Sequence, residues 1–291
     1  MTSILKWAGI VAASLAGLVV LAVAWVFIRS QVILDRTYPK RPSTVHVFVS
    51  TEAVARGAHL AAVATCTGCH GRDLTGQRFD VPGSTFFAPN LTRLTKSFSD
   101  SDFDHAIRRG IRPDGKSLLL MPSHAFANFT DEEVASIIAY LRSLKAKGTT
   151  SPDRSFGLLV RAAFVVGKFK TEVDEFSTAR PSLEMGRRYE KGRHLTGVIC
   201  AQCHGTDLAG EPKNSLMPTP DLMVVAAYDR GEFHTLMRTG KAAGGREVGV
   251  MSQTAREYFS SFTNDEIDAI YDYLAARGRA LTTSPSTPNR R

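Results

Sequence analysis

All four cysteines of the chain fall in two five-residue motifs, Cys66-Thr67-Gly68-Cys69-His70 and Cys200-Ala201-Gln202-Cys203-His204. The C-x-x-C-H spacing suits covalent attachment of a haem. The two thiols add to its vinyl groups as thioethers, and the histidine that follows is delivered to the iron as an axial ligand. Other uses of paired cysteines fit less well. A structural zinc site brings two C-x-x-C pairs within about 15–20 residues of each other, whereas a whole domain's length separates Cys69 from Cys200. A thioredoxin-like redox motif expects a βαβ setting, and neither motif is flanked by the β-branched runs of a parallel sheet. A chain of 291 residues buries enough core to need no disulfide framework. The motifs therefore predict two haem c groups.

The surroundings of the motifs repeat, so the elements that position them must repeat as well. His70, Gly71, Asp73, Leu74 and Gly76 recur as His204, Gly205, Asp207, Leu208 and Gly210. Upstream, Gly57, His59 and Leu60 parallel Gly192, His194 and Leu195; downstream, Pro89 and Leu91 parallel Pro220 and Leu222. Residues 103–110 and 233–240 read as short helices that end on glycine, which takes the left-handed conformation after a helix. Each unit closes on a capping box, Thr130 with Glu133 and Thr263 with Glu266, preceded by a phenylalanine (Phe129, Phe262) that staples against Val134 or Ile267. Val134, Ile137, Ile138 and Leu141, and likewise Ile267, Ile270, Tyr271 and Leu274, keep helical spacing.

A helix before the haem motif, a middle helix, a methionine-bearing loop and a terminal amphipathic helix make this chain resemble class I c-type cytochromes over residues 52–146 and 184–278. The resemblance implies an all-α fold of two tandem class I cytochrome c domains behind one N-terminal transmembrane helix. The expected divisions are an anchor at 1–29, a juxtamembrane segment at 30–51, the first domain at 52–147, a linker with a short apolar helix at 148–183, the second domain at 184–280 and a disordered tail at 281–291. The resemblance also implies that Cys66, Cys69, Cys200 and Cys203 hold haem covalently. His70 and His204 are then proximal ligands, and the carbonyls of Pro89 and Pro220 hold their second ring nitrogens. Gly57 would pack against Tyr140, and Gly192 against Tyr273, where the first and last helices of each unit cross.

In the family the sixth ligand is a methionine on the loop before the last helix. Met121, followed by Pro122, is the choice in the first unit and the only methionine there. Met251 is the homologous choice in the second, although Ser252 stands where the family commonly has proline. Met217, Met223 and Met237 are its rivals, and His124, three residues after Met121, is the rival in the first unit. His59 and His194 read as packed or propionate-facing side chains, and His46, His105 and His234 as surface residues.

Residues 7–28 carry no charge. At about 1.5 Å per residue a helix of that length spans roughly 33 Å, enough for the hydrocarbon core of a bilayer. The rival is a cleaved signal peptide with Ala22-Val23-Ala24 as its processing site, but the apolar run continues beyond it. Basic residues lie mostly after the span (Arg29, Arg36, Lys40, Arg41), which by the positive-inside rule favours a cytoplasmic location. In bacteria, however, the family receives its haem outside the cytoplasmic membrane, and long domains cross largely regardless of charge. The expectation is a single-pass protein of the bacterial cytoplasmic membrane with its haem domains in the periplasm. Residues 156–169 are mostly apolar, interrupted by Arg161 and Lys168, but too short to span, and suit packing against the domains or lying in the membrane interface.

The net charge of +8 sits outside the repeats: residues 56–145 hold 11 basic and 9 acidic side chains, and residues 186–278 hold 11 and 12. That distribution lacks the clustered basic face of a nucleic-acid binder. It suits flanks that meet lipid headgroups, Arg290 and Arg291 among them. Arg108, Arg109 and Arg112 are candidates to neutralise haem propionates. The resemblance implies an electron carrier, with a redox donor and acceptor as partners, working as a subunit of a larger dehydrogenase or oxidase assembly. The alternative is a dihaem enzyme such as a peroxidase with one open iron.

Overall fold

The computed structural model describes residues 2–152, 154–212 and 217–283. Helix α1 (Thr2–Asp35) is 34 residues long. Its residues 3–35 are long and apolar enough to cross a membrane, and the most apolar window is covered by nothing else in the protein.

The chain does not leave α1 as a free tether. Lys116 Nζ meets Asp35 at 2.7 Å, Tyr38 N–H donates to Gly115 O at 2.8 Å, and Lys40 Nζ meets Asp102 at 3.0 Å. The hydroxyls of Ser43 and Thr44 donate to Asp104 and Asp131 at 2.7 and 2.6 Å, and Val45 is buried in the core. This strap corrects the expectation for His105. Its ring is buried because the strap covers it, with Nε2 2.7 Å from Arg41 O.

In the first unit, α2 (Thr51–Val63) starts at Ser50, whose hydroxyl accepts the Ala53 N–H, and a left-handed Thr65 (φ 59°) separates it from α3 (Cys66–His70). Strands β1 (Gln77–Val81) and β2 (Ser84–Ala88) pair as an antiparallel hairpin, an addition to the all-helical expectation. Then come α4 (Leu91–Leu94), α5 (Asp100–Arg109), α6 (Ser123–Phe126) and α7 (Asp131–Ser143). Helices α2 and α7 cross at Gly57, where a Cβ would strike the Ser136 carbonyl oxygen and lie 2.8 Å from the Tyr140 Cβ. Only glycine allows that approach. Val63, Val134 and Ile138 lie wholly inside the crossing, each contributing about 1.5–3 kcal/mol of burial.

The linker builds a satellite core around Phe86 of β2. Phe156 lies tilted with its ring centre 5.2 Å away and Phe169 meets Phe86 edge-on at 5.9 Å, while Phe164 lies 4.7 Å from Phe169. Phe164 belongs to α8 (Leu158–Val165), which packs along α1; α9 (Glu172–Phe176) follows.

In the second unit α10 (Glu190–Leu195) runs through a π turn at Thr196–Cys200 straight into α11 (Ala201–His204). Five residues separate His194 from Cys200, whereas six separate His59 from Cys66. The shorter spacing goes with a continuous path through a wider, underwound π turn instead of a break at a left-handed residue. A 3-10 segment at Leu222–Ala227, α12 (Arg230–Thr239), the short hairpin of β3 (Lys241–Ala242) and β4 (Arg246–Glu247), α13 (Val250–Glu257) and α14 (Asn264–Thr283) complete the unit. Gly192 repeats the role of Gly57, against the Ala269 carbonyl oxygen and 2.8 Å from the Tyr273 Cβ. Helix α14 continues to residue 283, past the expected end of the unit at 280; the remainder of the expected tail, with Arg290 and Arg291, lies outside the described residues.

The two units dock face to face by reciprocal contacts. His59 of α2 meets Glu266 of α14 at 2.9 Å, and His194 of α10 meets Glu133 of α7 at 2.8 Å. Each glutamate is also the third residue of its helix's capping box, so its carboxylate accepts the Thr130 or Thr263 N–H as well. Of the two readings of His59 and His194, packed or propionate-facing, the structure favours the packed one: each is a partly buried hydrogen-bond partner of a glutamate across the junction.

Candidate functional site

Each C-x-x-C-H turn is followed by the same backbone figure. Gly76 N–H donates to His70 O at 2.8 Å, as Gly210 N–H does to His204 O. Leu74 and Leu208 sit in the left-handed region at φ 60° and 61°, both buried. That conformation costs a leucine about 1–3 kcal/mol and persists only where the surroundings enforce it. Here the Leu74 and Leu208 carbonyls accept from Leu91 and Leu222 N–H at 2.9 and 3.0 Å. The chain is thereby turned back so that the proline two places earlier faces the histidine. Neither leucine had a signal in composition or periodicity; only their recurrence could have drawn attention.

The outcome is the same in both units. His70 Nδ1–H donates to Pro89 O at 2.9 Å, and His204 Nδ1–H to Pro220 O at 2.9 Å. Burial pushes both imidazoles below their ordinary value, with the proline carbonyl pulling the other way. A neutral ring with its proton on Nδ1 leaves the Nε2 lone pair as a metal ligand. Neither Nε2 has a hydrogen-bond partner among the described residues.

The cysteines are free thiols. Burial and then the neighbouring motif thiol push Cys66 and Cys200 up to about 12. Among the described residues no three His, Cys, Asp or Glu side chains converge as a zinc set requires. Unpaired thiols three positions apart on a helical turn, beside a histidine with one nitrogen tied and one open, fit a covalently held haem.

The methionines are held differently. Met121 follows a left-handed Leu120 (φ 66°) in an irregular segment. Two residues on, buried Ser123 donates its hydroxyl to Ala106 O at 2.8 Å and its N–H to Glu172 Oε2 at 3.0 Å. Glu172, at the start of α9 in the linker, also meets His124 Nδ1 at 3.1 Å. Met251 stands in the first turn of α13, not in a loop. Ser252 beside it is buried; its hydroxyl donates to Gly240 O at 2.5 Å and accepts from Val248 N–H at 2.8 Å. A proline in its place has no hydroxyl for either bond. Met121, Met251, Cys66 and Cys200 all lie partly buried against the main core. Of the rivals, Met237 is buried inside α12, Met217 is half exposed and Met223 belongs to the 3-10 segment.

Of the candidate propionate partners, Arg108 is already engaged by Asp104 and, at 2.6 Å, Asp131, and Arg112 by Asp114 at 3.1 Å. Behind Pro220, Asp221 is held at 2.7 Å by buried Arg277; behind Pro89, buried Asn90 instead donates to Lys147 O at 2.7 Å. The two motifs approach each other. Thr65 hydroxyl donates to Gln202 Oε1 at 3.2 Å, and the Cys203 thiol is raised by burial and by the proximity of Cys69.

A profile of the cytochrome c family matches residues 54–145 and 189–277. The chain is 26% identical over 257 residues to the fructose dehydrogenase cytochrome subunit of Gluconobacter japonicus, which covers 76% of this chain and 52% of that one. It is 25% identical over 283 residues to the alcohol dehydrogenase (quinone) cytochrome c subunit of Gluconacetobacter polyoxogenes, covering 81% and 59%. Similarity to the gluconate 2-dehydrogenase cytochrome c subunit of Pantoea cypripedii is 26% over 271 residues, covering 77% and 59%. The chain thus spans between about half and three-fifths of the length of these curated relatives.

Proposed function

Because the chain belongs to the cytochrome c family, matched over both of its units, we propose that it is a membrane-anchored carrier of single electrons that holds two haem c groups and serves as the cytochrome subunit of a dehydrogenase complex. Cys66 and Cys69 bind one haem and Cys200 and Cys203 the other. His70 and His204 would supply Nε2 to the irons, and Met121 and Met251 would supply thioether sulfur as their other ligands. Haem c, once bound, contributes an iron that alternates between Fe(III) and Fe(II). The chain's part is to keep that alternation cheap. Pro89 and Pro220 fix the tautomer and plane of each histidine, the apolar core excludes water, and thioether ligation favours Fe(II).

The observation that carries this reading is the Nδ1–H to proline carbonyl bond behind a C-x-x-C-H turn, made twice at 2.9 Å. The contact of Thr65 with Gln202 supports transfer between the two haems within one chain. A methionine in each unit, and relatives named as cytochrome subunits of dehydrogenases, weigh against the peroxidase alternative. Helix α1 serves as an uncleaved anchor with the units on the periplasmic side, where the family receives its haem.

Intact mass of the native protein tests the cofactor count. It should exceed the polypeptide by two haems, and changing either cysteine pair to alanine should remove one. A native protein carrying a single haem, or none, overturns the reading.

A further inference from the structure

Helix α8 is joined to the anchor at the point where the uncharged run ends. Arg161 Nη1 lies 2.9 Å from Ser30 Oγ and 3.3 Å from Gln31 Oε1, and its guanidinium covers the Phe27 ring at 4.7 Å. Its Nε donates to Phe156 O at 3.1 Å. These contacts face inward, as does Phe164, buried in the satellite core. The other face is apolar and bare. Leu159 and Val166 are 72% and 69% exposed, and helical spacing sets Ala163 between them.

A bare apolar face is expensive in water, and its position says what covers it. Ile28 is the last residue of the uncharged run and Arg29 the first charge after it, so Phe27 and Ser30 straddle the level at which the anchor meets the headgroups. Trp25, 55% exposed, sits where an interfacial aromatic belongs. Arg29 follows the uncharged run and Lys168 follows α8, and both are exposed, basic side chains of the kind that anionic headgroups attract.

We propose that α8 is a second membrane contact, lying in the boundary between headgroups and acyl chains of an anionic bilayer with Leu159, Ala163 and Val166 turned into the lipid. This inference rests on the reading of α1 as an anchor. Its consequence is orientation. The strap already ties α1 to the first unit, and a second contact beside it, joined through Phe86 to the same unit, fixes which face looks away from the membrane.

Site-directed spin labelling of the full-length holoprotein tests it. With all four native cysteines bonded to haem, an introduced cysteine is the single reactive thiol. Labels at Leu159→Cys and Val166→Cys are measured in vesicles of phosphatidylcholine and phosphatidylglycerol for collision with oxygen, which concentrates in lipid, and with a nickel chelate, which stays in water. Leu18→Cys in the anchor and Ser177→Cys in the linker serve as references. The oxygen-to-nickel ratio at residues 159 and 166 should exceed that at 177 several-fold and approach that at 18. If 159 and 166 favour nickel, or are shielded from both reagents by protein, while 18 is in lipid, the second contact is wrong and the anchor stands. If 18 also favours nickel, the anchor reading fails and the second contact with it.

Discussion

The two units use one plan for the histidine side of the site and two plans for the methionine side. Behind His70 and His204 the same strained leucine, the same turn and the same proline carbonyl recur with nearly equal distances. Around Met121 the chain is irregular and is held from outside by Glu172 of the linker, whereas Met251 starts a helix held from inside by Ser252. The contrast follows from what each side does. The histidine side must fix one ring in one plane, which leaves little room to vary. A methionine is unbranched and adaptable, so its backbone can be positioned by whichever partner is near. The linker also touches the second unit, through Arg180 N–H to Thr206 and Leu183 O to Tyr273, but its Glu172 reaches the methionine side of the first unit alone.

The comparison is broken most severely by removing the two methionines proposed as ligands. Met121→Ala should open the first iron to carbon monoxide and lower the potential of that haem, leaving the second nearly unchanged, and Met251→Ala should do the converse; a redox titration followed by absorbance separates them. If Met251→Ala leaves the second haem low-spin while Met217→Ala or Met223→Ala perturbs it, the assignment there is wrong.

Next in size is Ser252→Ala, which leaves the Val248 N–H and Gly240 C=O without their shared partner in a buried position. The cost should be about 1–3 kcal/mol, read as a lower Tm together with faster ligand exchange at the second haem only. A smaller effect, about 1 kcal/mol, is expected for Glu172→Gln, which keeps an acceptor for Ser123 but loses the charge facing His124. It should alter the first haem's methionine-to-iron charge-transfer band and spare the second. Equal changes at both haems would show that the linker braces the two units alike.

The smallest effect lies at the junction. Glu266 holds the His59 imidazole above its ordinary 6.5 despite its partial burial. Burial raises the Glu266 carboxyl, but His59 and the capping box outweigh it and keep it below its ordinary 4.5. The histidine contribution is complete below 6.5 and fades as pH rises through the raised value; the glutamate contribution is complete above 4.5 and fades as pH falls through the lowered one. The pair is therefore strongest between those limits. Both side chains are partly exposed, so its worth is below about 1 kcal/mol. The Tm difference between wild type and His59→Gln should be greatest near pH 5.5 and shrink toward alkaline pH; a difference independent of pH would mean that packing, not charge, holds the junction.

What could be read in advance was local. The capping boxes at Thr130 and Thr263, the glycine ends of α5 and α12, and the close crossings at Gly57 and Gly192 all follow from residues a few positions apart or from one recurring pair. What escaped depends on surfaces that meet only in the folded chain. His105 looked exposed because nothing near it in sequence announces the strap from residues 36–47 that covers it. The cross-pairing of His59 and His194 needed the docking of two units, and periodicity within one unit does not encode it. The hairpin of β1 and β2 escaped for a related reason, since Phe86 gains its partners from the linker.

The reciprocal bridges between α2 and α14 and between α10 and α7 carry one more implication. A junction in which one patch meets a second, and the second's counterpart meets the first's, is isologous, the arrangement that two identical chains adopt about a dyad. Such a junction is self-complementary in form. Joining the halves replaces encounter between separate molecules with an effective concentration set by the tether, so assembly no longer depends on how much protein the cell makes. It also lifts the requirement that the halves stay identical, and the differing supports of Met121 and Met251 are what that freedom permits.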